Sequence, residues 1–170
     1  MTRHPDDGMY SIKLVHPGHL GYKFFLPDTS NDGRPRLMNF SDRGHTPDLA
    51  RCIRPGHRAM VYVTRPVKKF IWAIEDKGTV QAGQQAAASL PVPSNVMHPE
   101  YCKIFLPIRF LATIDVESAP DVQDVLQNAG VDFIPNAFPM KHISAAEYHK
   151  IFEAIEWEWF VTTEPVARLC

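Results

Sequence analysis

Cysteine is scarce in this chain. Cys52, Cys102 and Cys170 are odd in number, widely spaced and never in a C-x-x-C pair. That excludes a disulfide framework and a cysteine-based structural zinc site, and reads as reduced thiols. No apolar run approaches the roughly 20 residues that cross a bilayer, and Met1 to Gly8 is polar where a secretory leader would be apolar. The expectation is a cytoplasmic protein with no membrane partner. Several catalytic motifs are missing as well: the G-x-S-x-G elbow, H-E-x-x-H, a glycine-rich phosphate loop, and H-x-E with a following P-C-x-x-C. Their chemistries therefore lack the usual anchors. Positive charge in excess is also absent, since the net charge of -1 argues against an indiscriminately basic nucleic-acid coat.

What is present fits a single core. At 170 residues and 45% hydrophobic, residues 1–160 read as one domain and 161–170 as a tail or exit linker. The stretch from Arg54 to Glu75 organises the rest. Ala59 to Val63 and Phe70 to Ile74 are β-branched, aromatic or apolar, and Arg65-Pro66-Val67-Lys68 breaks between them, which predicts a hairpin with a basic tip. Met9 to Val15 predicts a first strand, ended by His16-Pro17-Gly18-His19, and Tyr22 to Leu26 a further strand or loop crossing. Thr46-Pro47-Asp48 opens a short helix to about Ile53, stopped by Pro55-Gly56. A long loop, 76–99, leads to a strand over Ile104 to Ile114, where the even positions are apolar and Pro107 marks an edge or a bulge. A helix is expected over 119–128, begun by Ser118 or Ala119 and closed by Gly130. Ser144 with Glu147 forms a capping box, and Tyr148, Ile151, Phe152, Ile155 and Trp159 then share one face of a last helix over 145–159. The fold class is α+β.

Catalytic readings find little support. His16 and His19 lack a third ligand and read as a turn, so no metal and no cofactor are expected. Cys102 with His98 is the nearest thiol and imidazole, and Asp42 or Glu75 could serve as a base, yet no nucleophile stands beside either acid. A small hydrolase is therefore the lesser alternative, and no catalytic residue is assigned.

The charges are segregated. From Arg34 to Lys69 nine Lys or Arg face two acids, and from Asp115 to Glu164 ten Asp or Glu face two lysines. One basic face suits a polyanion. Phe40, Tyr62, Phe70 and Trp72 are interleaved with the basic residues, an arrangement in which cations neutralise phosphates and an aromatic face stacks on a base. Taken singly, Tyr62, Phe70 and Trp72 read as strand residues filling a core. Phe40 differs, because Ser41-Asp42-Arg43 follows it with groups able to read a base edge.

The order of parts resembles the EVE and YTH branch of PUA-like domains from Met9 to Ile155. It rests on Asn39-Phe40-Ser41-Asp42-Arg43, the Pro55-Gly56 entry into Met60-Val61-Tyr62-Val63, Trp72-Ala73-Ile74-Glu75, and the capped helix at Ile143-Ser144. The resemblance implies a curved, mainly antiparallel β-barrel flanked by helices, with a pocket that accepts one flipped and often modified base. It places Asn39, Phe40, Ser41, Asp42, Tyr62 and Trp72 at the base, with Tyr101 or Phe105 to complete the cage, while the basic face supplies Arg43, Arg51, Arg54, Arg58, Arg65, Lys68 and Lys69 to phosphates. It also implies no cofactor and a nucleic-acid partner. Modified DNA is favoured, as the specificity domain of a modification-dependent restriction system with a fused or partner nuclease, and RNA comes second.

Overall fold

Val, Ile, Phe and Trp dominate the two runs either side of Arg65-Pro66-Val67-Lys68, and both runs are strands. The computed structural model describes residues 9–15, 51, 53–78, 104–132 and 140–161, and the backbone of 36–40 and 81–82. Strand β3 (Arg58–Val63) pairs antiparallel with β4 (Lys69–Asp76), from Arg58 against Glu75 to Val63 against Lys69. Strand β1 (Tyr10–Val15) lies parallel to β3, with Tyr10 against Arg58, and is the one parallel neighbour among the described strands. Nearly every residue of β3 and β4 is buried, so these strands are apolar on both faces, as expected when each face is covered.

Strand β6 (Ile104–Thr113) is the spine of the sheet. One edge pairs with β4 and the two-residue β5 (Gln81–Ala82); the other pairs with β2 (Arg36–Phe40) and β8 (Trp159–Phe160). With β7 (Met140–His142) against β1, the path runs β2-β6-β4-β3-β1-β7. Among the described residues this is the curved, mainly antiparallel sheet expected from the sequence, and it is not closed into a full barrel. Pro107 is not at an edge: it lies in the middle of β6, opposite Leu37. Its carbonyl accepts from Lys77 N at 2.8 Å, so its missing N–H faces the gap between β4 and β5, where no ladder bond is lost. Gly78 lets that chain close on the ring, since a Cβ there would stand 3.1 Å from Pro107 Cγ. The irregularity in register falls instead between Ala73 and Ile74.

Helix α1 (Val122–Ala129) starts later than Ser118 or Ala119 would give. Asp121 is its N-cap, accepting from Gln123 N at 2.8 Å, while Gly130 closes it at φ 63° as expected. Helix α2 (Ala145–Glu153) has the capping box: Ser144 Oγ accepts from Glu147 N at 3.1 Å, and Glu147 Oε2 accepts from Ser144 N at 2.7 Å. Ser144→Ala should cost about 1 kcal/mol of unfolding free energy, read as a lower denaturant midpoint. The helical stripe does not reach Trp159. The helix stops at Ala154, Trp157 Nε1 donates to Phe152 O at 2.9 Å, and the chain turns back to set Trp159 against Thr113 in the sheet. No described helix is long and apolar enough to cross a membrane. The calls on 16–19, 22–26, 42–50 and most of the 76–99 loop lie outside the described residues.

Candidate functional site

Alternation along β4 sends its last two residues, Glu75 and Asp76, to opposite faces of the sheet. Glu75 goes to the face that carries α2. Its register partners there are both arginines, Arg58 on β3 and Arg109 on β6, and Lys77 joins them two residues on. Arg109 Nη2 lies 3.2 and 3.3 Å from the two carboxylate oxygens, Lys77 Nζ lies 3.1 Å from Oε1, and Arg58 Nε is 3.5 Å from Oε2. One carboxylate thus gathers three cations, and the cluster carries two positive charges in excess.

Burial alone pushes the Glu75 carboxyl up, but hydrogen bonds and charge from Lys77 and Arg109 outweigh it and hold the group below its ordinary value. An acid so saturated with donors is a poor proton acceptor, which argues against Glu75 as a general base.

Helix α2 closes over this cluster through Tyr148. Its ring packs on Tyr10 at 5.1 Å between centroids and on the His149 ring at 5.6 Å. Burial drives its phenol pKa upward, against a smaller pull from Arg58, so the hydroxyl stays protonated. That hydroxyl is buried and has no hydrogen-bond partner among the described residues, and the same holds for Arg109 Nε. Two unmet donors beside an excess of positive charge call for an acceptor-rich group.

Asp76 turns to the other face. Its Oδ2 accepts from His57 Nδ1 at 2.6 Å, with both side chains only 2% exposed. Backbone bonds reinforce the contact, Gly56 N donating to Asp76 O at 2.7 Å and Asp76 N to His57 O at 2.8 Å.

No protein-family model matches the chain, and no curated protein matches it. Solved structures do. A hypothetical protein of Leishmania major superposes with a TM-score of 0.57 at 12% identity, over 88% of this chain and 96% of that one. A mutant of the ZmASCH protein of Zymomonas mobilis gives 0.50 at 10% identity, over 86% and 99%. A protein of Agrobacterium tumefaciens gives 0.52 at 9%, over 85% and 92%. The fold is PUA-like. At these identities the likeness is one of fold; it runs to an ASCH protein, where the sequence motifs pointed to the EVE and YTH branch of PUA-like domains.

Among the described residues, Tyr62 and Trp72, both expected at a base, are set apart on this frame. Tyr62 is buried against Phe70, rings 5.7 Å apart, and Trp72 against Phe110 at 5.4 Å. Register places Val61, not Tyr62, opposite Trp72, so Tyr62 and Trp72 serve opposite faces and cannot wall one pocket. Both are core, as each reads when taken alone. Phe105 is buried opposite Asn39, and Phe40 stands opposite Ile104. Ser41, Asp42, Arg43 and Tyr101 lie outside the described residues.

The basic residues form two groups. Arg51 and Arg54 are exposed near Arg58 in the chain, whereas Arg65, Lys68 and Lys69 sit at the far end of the hairpin, about 17 Å along β3 from Arg58. Lys69 Nζ is committed to Val116 O at 2.7 Å. Sequence reasoning flagged Glu75 and Arg58 but missed Lys77, Arg109 and Tyr148 as their partners. The spacing of Glu75 and Lys77 was a usable signal, since two residues apart on a strand share a face. Nothing local could have paired Arg109 with Glu75, because that depends on register between distant strands.

Proposed function

We propose that this PUA-like protein is a nucleic-acid-binding module that docks a phosphate or base carbonyl at Glu75, Arg58, Arg109, Lys77 and Tyr148. One observation carries the reading: among the described residues the buried Arg109 Nε and Tyr148 hydroxyl are donors without acceptors, and Arg109 belongs to a cluster with net positive charge. Polynucleotides supply acceptors in plenty, and charge-assisted hydrogen bonds to them are strong. Glu75 holds the cations in place and keeps them from spreading apart.

The finer part of the proposal, one flipped and modified base beside Phe40, rests on the resemblance of Asn39 to Arg43 to EVE and YTH domains. Phe40 pairs five residues before Arg109 along β6, about 17 Å away. Phe40 and Arg109 would therefore meet different nucleotides of one strand, Phe40 giving selectivity and Arg109 affinity.

The test is equilibrium binding, at one stated salt concentration, to matched DNA and RNA oligonucleotides, single-stranded and duplex, with and without methylated bases. Arg109→Ala should lower affinity at least tenfold, and Phe40→Ala should erase any preference for the modified base. Tyr148→Phe separates fold from function. It removes a buried hydroxyl that lacks a partner, so it should stabilise the free protein by about 1 kcal/mol while weakening binding. Wild-type affinity in Arg109→Ala and Tyr148→Phe for every oligonucleotide would overturn the proposal.

A further inference from the structure

Five buried side-chain polar atoms among the described residues have no hydrogen-bond partner, and three of them belong to Ser11, His57 and Asp76. These three lie together on the sheet face away from Glu75. Ser11 pairs with His142 of β7 on one side and, on the other, with Ala59, two residues past His57. The His57 and His142 rings nonetheless come within 6.2 Å of each other, edge to face at 88°. To do so they must lean together across Ser11.

The atoms offered here are of the opposite kind to those at Glu75. In the tautomer whose Nδ1–H donates to Asp76, His57 presents a lone pair on Nε2. Ser11 Oγ adds lone pairs on the same face, and the His142 ring adds another nitrogen. Two imidazoles 6.2 Å apart, one held by a carboxylate, offer nitrogen donors suited to a cation. An imidazole whose second nitrogen donates to a buried carboxylate is also how metal-ligating histidines are usually held, with ring and tautomer fixed by the carboxylate.

We propose that His57 and His142 bind a divalent transition-metal ion of the zinc class, with Ser11 Oγ beside it and Asp76 as the group that orients His57. Imidazole favours zinc, nickel and copper over magnesium or calcium, which prefer oxygen. His142 is exposed while His57 and Ser11 are buried, so the ion enters from the His142 side. Lys13, buried on the same face, adds a positive charge that Asp76 offsets. No group of three His, Cys, Asp or Glu side chains converges among the described residues. The site is therefore open, with solvent completing the coordination. A role for the dyad in bracing the turn alone would require neither a free Nε2 nor a second imidazole beside it.

The experiment is calorimetric titration of the full chain, stripped with chelator and dialysed, with ZnCl2, repeated with CoCl2 and read in the visible spectrum. The variants are His142→Gln, Asp76→Asn and, to control for surface histidines, His149→Gln. One zinc per chain is expected, uncontested by excess magnesium. His142→Gln should lose at least tenfold in affinity, Asp76→Asn about tenfold, and His149→Gln nothing. His142 is exposed, so its loss leaves the fold intact, which circular dichroism verifies. Absence of zinc binding below millimolar concentration would overturn the assignment. So would binding that survives His142→Gln, which would mark adventitious surface histidines.

Discussion

Asp76→Ala is expected to lower the unfolding free energy by about 3 kcal/mol, the largest loss predicted for a single polar substitution in this protein. Alanine leaves the His57 Nδ1–H buried without an acceptor, at about 1–3 kcal/mol, and removes packed atoms around a side chain that is 2% exposed. Asp76→Asn keeps an oxygen for that N–H and should cost only about 1 kcal/mol. Urea unfolding with an unchanged slope decides the matter, and equal losses for Ala and Asn would show that the hydrogen bond is not the cause. The pH dependence has a definite sign. Burial raises the Asp76 pKa above its ordinary 3.8 against the pull of His57 and Lys13. The folded protein therefore keeps that proton to higher pH than the unfolded chain does. Ionising Asp76 as pH rises from 3.8 through the folded value reduces stability, and Asp76→Asn abolishes this component.

Much of the framework was legible in the sequence because its signals are local. The hairpin from Arg58 to Asp76, the long strand from Ile104 and the Ser144 capping box each depend on a few consecutive residues, and each is present. What was not legible depends on pairing across the chain. Trp159 continues a helical stripe in sequence, yet it leaves the helix because β6 offers it a partner in Thr113. Pro107 reads as an edge residue but lies in the central strand, tolerated by a gap that Gly78 fills. The candidate site shows the same division. Glu75 stood out as an acid ending an apolar strand, but its meaning came from Arg109, thirty-four residues away, and from a tyrosine that helical spacing assigned to the core. That assignment holds: Tyr148 is core, and its hydroxyl is buried with the ring.

Glu75→Gln should be the second most damaging polar change, and the most informative about the two faces of the sheet. The amide cannot neutralise Arg58, Arg109 and Lys77, so three cations remain crowded without a counter-charge. Stranding a fully buried charge costs about 3–5 kcal/mol. The side chains of Arg58, Lys77 and Arg109 keep 29%, 39% and 33% exposure, so solvent screening discounts the loss to about 2 kcal/mol at neutral pH. The Glu75 pKa is lowered in the folded state. Its stabilisation is therefore fully present above the unfolded value of 4.5 and is lost as pH falls through the folded one. The gap between wild type and Glu75→Gln should accordingly narrow on acidification. Asp76, its neighbour on the other face, carries the opposite sign, so the same acidification favours the folded state through Asp76 while removing support through Glu75. Unfolding midpoints of wild type, Glu75→Gln, Asp76→Asn and the double variant between pH 3 and 7 resolve the two contributions. A Glu75→Gln deficit that stays constant across that range would mean that shape, not charge, makes Glu75 the centre of the cluster.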